Sequence, residues 1–313
     1  MKDISNSIYQ YYVDRFDELP FDKQLHFASR LYLWSGDAFA KMQLERLRPV
    51  VTAHDNPAMA LRAVHEEARK TISHGSKNAA ALRDPYFQKY PEIRPLAMVL
   101  FRLTFLESLY GLDARATFFE LFDRAEVESL FDRILADPQA LAILSTHAIN
   151  VLYLYHRAVR GNDTSLDPAP FLTVGRTAYD FSDPIQLQLY IYLYTHCIIG
   201  ESRFYARKLP ERYLPVYRQM IAELEDSIAD YFGDINLDNK FEFLTCCKLV
   251  GVESALREHI EAEAADSLSP DGTFLVDRHN NNPQTANSTL ALSEHRNVLY
   301  ILSHRTFVPS KPL

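Results

Sequence analysis

The side chains of this chain best suited to chemistry are histidines, cysteines and an acid–base cluster, and their spacing limits what they can do together. His147 and His156 lie nine residues apart, as do His295 and His304. Nine helical steps of 100° turn the chain by half a circle, so the members of a pair face opposite ways and cannot share a metal. Each pair therefore splits into one buried and one exposed histidine at most. Cys246 and Cys247 occupy the stretch FEFLTCCKLVG, where adjacent helical residues diverge by 100° and only one thiol can enter a given cavity. The stretch HCIIGESRFYAR places Glu201, Arg203 and Arg207 directly after the most apolar run, at the end of an element that must be buried. Polar groups in that position can reach a cavity, and Tyr192, Tyr194, Phe204 and Tyr205 would line it or fill the core. The ordinary alternatives are a satisfied core histidine, a small buried thiol and an acid–base pair at the surface.

A second region draws attention by length. Residues 267–293 carry SPDGTF, DRHNNNPQ and TANST, a long polar connection of the kind that is usually functional or mobile. Its Asp277 and His279 are expected to lie around one concavity with Glu201 and Arg203, as ligand-orienting groups. No GxGxxG, GxxxxGK, HExxH or GxSxG occurs, so dinucleotide, P-loop, zincin and hydrolase-elbow chemistry all lack their signals. DDxxD and DxDD are absent as well.

The elements that must position these residues are helices. Residues 144–157 (LSTHAINVLYLYHR) and 292–305 (LSEHRNVLYILSHR) read as copies, repeating Leu144, Ser145, His147, Leu154, His156 and Arg157 as Leu292, Ser293, His295, Leu302, His304 and Arg305. A repeated helix must bury its apolar face on neighbours of its own kind. Only 9 glycines are present, too few for many tight hairpins. Gly36, Gly111, Gly161, Gly200, Gly233 and Gly251 each follow a periodic segment, where a left-handed cap belongs. Six prolines follow Asp or Asn, at positions 57, 85, 138, 168, 184 and 283, which is helix-start chemistry. The clearest helices are expected near 4–17, 22–34, 58–73, 96–110, 138–160, 184–199, 212–232, 239–250, 253–266 and 294–304. IQLQLYIYL (185–193) alternates like a strand, but its length between a proline start and a glycine stop decides for helix. The expectation is one all-helical domain over 1–313, two-lobed if the tract 161–183 is a boundary, with a short helix around Phe171 to Phe181.

The segment from Ala255 to His304 joins the helix ALREHIEAEAA to SLSPDGTF and then to SEHRNVLYILSH. It resembles one repeat of the α/α-toroid families, among them the squalene cyclases and protein prenyltransferase β-subunits, where a helix leads into a DGSF or DGxW turn. The resemblance covers about fifty residues, the DGTF turn appears once, and the cyclase glutamine and catalytic acid are missing. It implies an α/α toroid or partial toroid around a cavity, with a two-layer α-solenoid as the alternative. For a prenyltransferase-like zinc site it implies Cys246 or Cys247, His295 and an acid, either Asp277 or Glu242.

Composition sets the frame. The chain has 47% hydrophobic residues, and 33 basic against 41 acidic residues leave a net charge of -8, which repels phosphate backbones and argues against nucleic acid. MKDISNSIYQYYVDRF has neither a basic nor an apolar region and does not read as a signal peptide. The run from Leu187 to Gly200 is too short and too polar for a bilayer span. Three cysteines give no disulfide framework, and a cytoplasmic setting is expected. The leading expectation is a helical-repeat protein binding a peptide or small apolar ligand without catalysis. The alternative is a toroid enzyme, with or without zinc, whose site lies near 267–293.

Overall fold

The computed structural model describes residues 4–70, 77–160, 166–276 and 289–313, with the backbone alone for 77–80. It is 75% helix. Among the described residues the only extended pairing is an isolated antiparallel bridge between Leu268 and Leu275. The helices are α1 (Ile4–Asp14), α2 (Phe21–Ser35), α3 (Ala38–Val51), α4 (Pro57–Lys70), α5 (Lys77–Lys89), α6 (Ile93–Tyr110), α7 (Arg115–Leu121), α8 (Arg124–Leu135), α9 (Pro138–Leu144), α10 (Thr146–Ala158), α11 (Ala169–Thr177), α12 (Pro184–Glu201), α13 (Leu214–Asp230), α14 (Leu237–Val250), α15 (Arg257–Asp266) and α16 (Leu290–His304).

Local chemistry accounts for most of these limits. Asn56 Oδ1 accepts from the Met59 amide at 3.0 Å, Asp137 Oδ1 from Ala140 at 3.0 Å and Asp183 Oδ1 from Ile185 at 2.9 Å, each with proline at the first helical position. Asn236 caps α14 in the same way, 2.9 Å from the Asn239 amide. Gly36, Gly111 and Gly251 close α2, α6 and α14 at φ 67°, 65° and 74°, a region that favours glycine. The stretch 185–193 is helical, inside α12, which is apolar nearly all round because it is buried on most sides.

Several expectations need correction. Asp84-Pro85 does not start a helix: α5 begins at Lys77, and Pro85 lies inside it. Gly200 does not end α12. A Cβ there would come within 2.8 Å of the Tyr153 Cβ, so glycine instead permits close approach of α12 to α10. The expected helix 138–160 is two helices broken at Ser145, which takes φ 44° without being glycine while its hydroxyl donates to the Leu189 carbonyl at 2.8 Å. α16 starts four residues before the expected 294, capped by Thr289.

Two compact units emerge. One comprises residues 1–46, 205–208 and 217–310; the other comprises 47–204, 209–216 and 311–313. The chain passes between units at 46/47 and 204/205 among other points, and residues 166–183 lie in the second. In the first unit α16 packs against α1, α2 and α14. In the second α10 packs against α6, α9 and α12. The two copied segments are thus the central helices of their units, and both Leu154 and Leu302 are fully buried.

Candidate acid and base site

A cluster of ionisable side chains forms where α2, α14 and α16 meet in the first unit. Lys23, His26 and Arg30 recur at intervals of three and four along α2 and so share one face. Asp238 and Glu242 do the same on α14. α16 supplies Glu294, His295 and Arg296 in succession. Because it touches both α2 and α14, successive side chains can serve different neighbours.

Glu294 turns to α2: its Oε1 lies 2.8 Å from His26 Nδ1 and its Oε2 lies 3.6 Å from Lys23 Nζ. His295 and Arg296 turn to α14. His295 Nδ1 is 3.1 Å from Asp238 Oδ1, and Arg296 donates to Asp238 Oδ2 at 2.5 Å. The two imidazole centroids are 5.5 Å apart. Arg30 lies against the Tyr205 ring, 5.2 Å from its centroid.

Burial divides this cluster into a scaffold and a working face. The side chains of Glu294 and Arg296 are 0% and 2% exposed, whereas His26 and His295 retain 24% and 41%. Fixed charges inside therefore hold rings whose edges remain reachable.

The two rings are driven in opposite directions. Enclosure lowers the His26 pKa to about 4, helped by Arg30 and His295 and only partly offset by Glu294. For His295 enclosure also acts downward, but the hydrogen bond and charge of Asp238, with Glu242 and Glu294 beyond, raise it above the ordinary value. Asp238 answers in kind. Burial would raise it, yet His295 and Arg296 hold it at about 2. A carboxylate can only accept, so each Nδ1–H donates to its acid, leaving the two Nε2 atoms with no hydrogen-bond partner among the described residues.

The residues singled out from sequence are distributed otherwise. Glu201 and Arg203 meet on one partner in the second unit: Glu201 forms a fully buried ion pair with Arg157, and Arg203 donates to the Arg157 carbonyl and lies 3.5 Å from Glu107. Arg207 is half-buried in the first unit. Asp277 and His279 lie outside the described residues. Cys246 and Cys247 are both buried and in no disulfide. Burial, with Glu225 adding to it, pushes the Cys247 thiol far up, while Cys246 lies among the groups acting on Tyr205. His295 is bonded to Asp238. Among the described residues, no three His, Cys, Asp or Glu side chains are grouped to hold a metal.

The histidine pairs stay within the expected limit of one buried and one exposed member each. In α10 neither member is exposed, His147 being half-buried and His156 buried, because α10 is enclosed along its length. His26, Asp238 and Glu294 were not singled out by sequence. The available signal was the spacing on α2 and the change from Thr146 and Ala148 in one copy to Glu294 and Arg296 in the other.

Comparison with family models, with curated proteins and with solved structures gave no match. No helix among the described residues is long and apolar enough to cross a membrane.

Proposed function

We propose that His26 and His295 form an acid–base catalytic pair acting on a small polar substrate. The observation that carries this is the pair itself: two accessible imidazoles 5.5 Å apart, each tied through Nδ1 to a carboxylate. His26, its pKa lowered, presents the Nε2 lone pair as base, and His295, its pKa raised by Asp238, presents Nε2–H as acid in its protonated form. One removes a proton from the substrate while the other delivers a proton to a departing or rearranging oxygen, as in an elimination or isomerisation. The buried ion pairs hold both rings before substrate arrives, so little reorganisation is needed at the moment of reaction. This favours the enzyme alternative over the binding protein that the sequence put first.

The α/α-toroid arrangement remains part of the proposal. It is supported by the all-helical chain and by the placing of the two copied segments at the centres of their units.

The test is comparative. Wild type, His26→Ala and His295→Ala, each shown to be folded by circular dichroism, are incubated in deuterium oxide with a polar metabolite extract, and the products are read by mass spectrometry. A compound consumed or deuterated by wild type and by neither variant supports the site. Identical profiles from all three would leave the cluster as an ion-pair network of structural use only.

A further inference from the structure

The second unit holds another grouping, of opposite character. Arg83 on α5, Arg94 on α6, His147 on α10, Tyr179 after α11 and Tyr192 on α12 are all half-buried. Arg94 lies 3.7 Å from the centroid of the Phe87 ring, and Phe87 meets His147 edge-on at 5.1 Å. Tyr179 is fixed by donating its hydroxyl proton to the Ala142 carbonyl at 3.0 Å. Arg83 donates from Nε to the Ile143 carbonyl at 3.2 Å. That bond orients the guanidinium and leaves its two terminal nitrogens with no hydrogen bond or ion pair to any described residue.

Among the described residues, no acid acts on the Arg83 guanidinium. The ionisable groups acting on Arg83 are Tyr192, Tyr179 and Arg94, and those acting on His147 are Arg83 and Arg94; neither set includes a carboxylate. In a chain with 41 acidic residues, a partly enclosed arginine surrounded by aromatics and a second arginine is unusual. Enclosing a cation without a counter-ion is costly, and a bound anion removes that cost. An oriented guanidinium fork matches the two oxygens of a carboxylate or phosphate, and aromatic faces accept the body of the molecule that carries it.

We infer that Arg83 and Arg94, with Tyr179 and Tyr192 beside them, form a binding site for the oxyanion of a small molecule. This site is independent of the acid–base pair of the first unit and stands whether or not that pair is catalytic. The shared chemistry is a carboxylate or a phosphate, and two probes separate them. Inorganic phosphate and benzoate are titrated separately into the full-length protein at constant ionic strength held with chloride, following the imidazole resonances of His147.

A saturable shift with at least one probe is expected. Arg83→Gln weakens it at least tenfold, and the exposed Arg218→Gln leaves it unchanged. Saturation by phosphate alone or by benzoate alone names the oxyanion. Shifts that only follow ionic strength, or equal affinity in Arg83→Gln and wild type, overturn the inference. Should Arg83→Gln fold poorly, Arg83→Lys keeps the charge and removes the fork, and undiminished affinity there overturns the bidentate contact.

Discussion

His147 and His295 occupy the same place in two copies of one segment, yet their surroundings impose opposite states. In α16 the ring faces Asp238 and is flanked by Glu294 and Arg296, and its pKa is raised. In α10 the flanking residues are Thr146 and Ala148. There the ring is enclosed and has Arg83 and Arg94 for neighbours, so its pKa falls to about 4. The lesson concerns what a repeat conserves. Leu154 and Leu302 are both fully buried, while two substitutions beside the histidine and the charges on adjoining helices set the direction in which its pKa moves.

The comparison can be broken at several points. The largest effect is expected at the fully buried Arg157–Glu201 pair of the second unit. Glu201→Ala leaves a buried guanidinium without its counter-ion and should cost about 3 to 5 kcal/mol in urea unfolding. A loss below about 1 kcal/mol would show that water or another group compensates readily.

Leu154→Ala and Leu302→Ala test the shared part. Each should cost about 2 to 5 kcal/mol, as core truncations do. Values that differ widely would mean that the two central helices are not packed alike.

The acid side of the stability profile sharpens the contrast further. Asp238 has its folded pKa depressed from 3.8 to about 2, so its contribution is present above 3.8 and is lost as pH falls toward 2. The difference corresponds to about 2 kcal/mol. His26, also depressed, stabilises above its ordinary 6.5 and loses that contribution as pH falls toward about 4. His295, being raised, works the other way, with a contribution present below 6.5 and lost as pH rises past its folded value. Urea midpoints across pH should fall on the acid side, and Asp238→Asn should flatten the lowest part of that fall.

The smallest effect is also the most direct. In histidine NMR titrations His147 should show a midpoint near 4 and His295 one above the ordinary value. Asp238→Asn should lower the His295 midpoint and leave His147 where it was. Coincident midpoints for the two rings would remove the distinction.

Helix limits were legible at several points where a local side chain or glycine sets them, though not at Thr289, which caps α16 four residues before the expected start. Asn56, Asp137 and Asp183 cap their own first turns, and Gly36, Gly111 and Gly251 need only their own backbone freedom. The break at Ser145 was not legible, because its cause is the Leu189 carbonyl, 44 residues away. The same applies to Asp84-Pro85, whose capping chemistry is idle inside α5. At the site His295 was singled out, but its acid lies 57 residues away and the Glu294 partner of His26 lies 268 away. Pairings over such distances leave no periodic trace in one sequence. Only the charged spacing on α2 and α14 hinted that those faces meet something polar.

Asn297 holds residue 275 at both its backbone groups: Oδ1 accepts from the Leu275 amide at 2.8 Å and Nδ2 donates to its carbonyl at 3.0 Å. Leu275 is fully buried, so its amide proton exchanges with solvent deuterium only when that clasp opens. The clasp belongs to α16, the helix that carries Glu294 and His295. The exchange rate of one leucine amide is therefore a clock for how often α16 parts from the chain at residue 275, readable without any substrate in the tube.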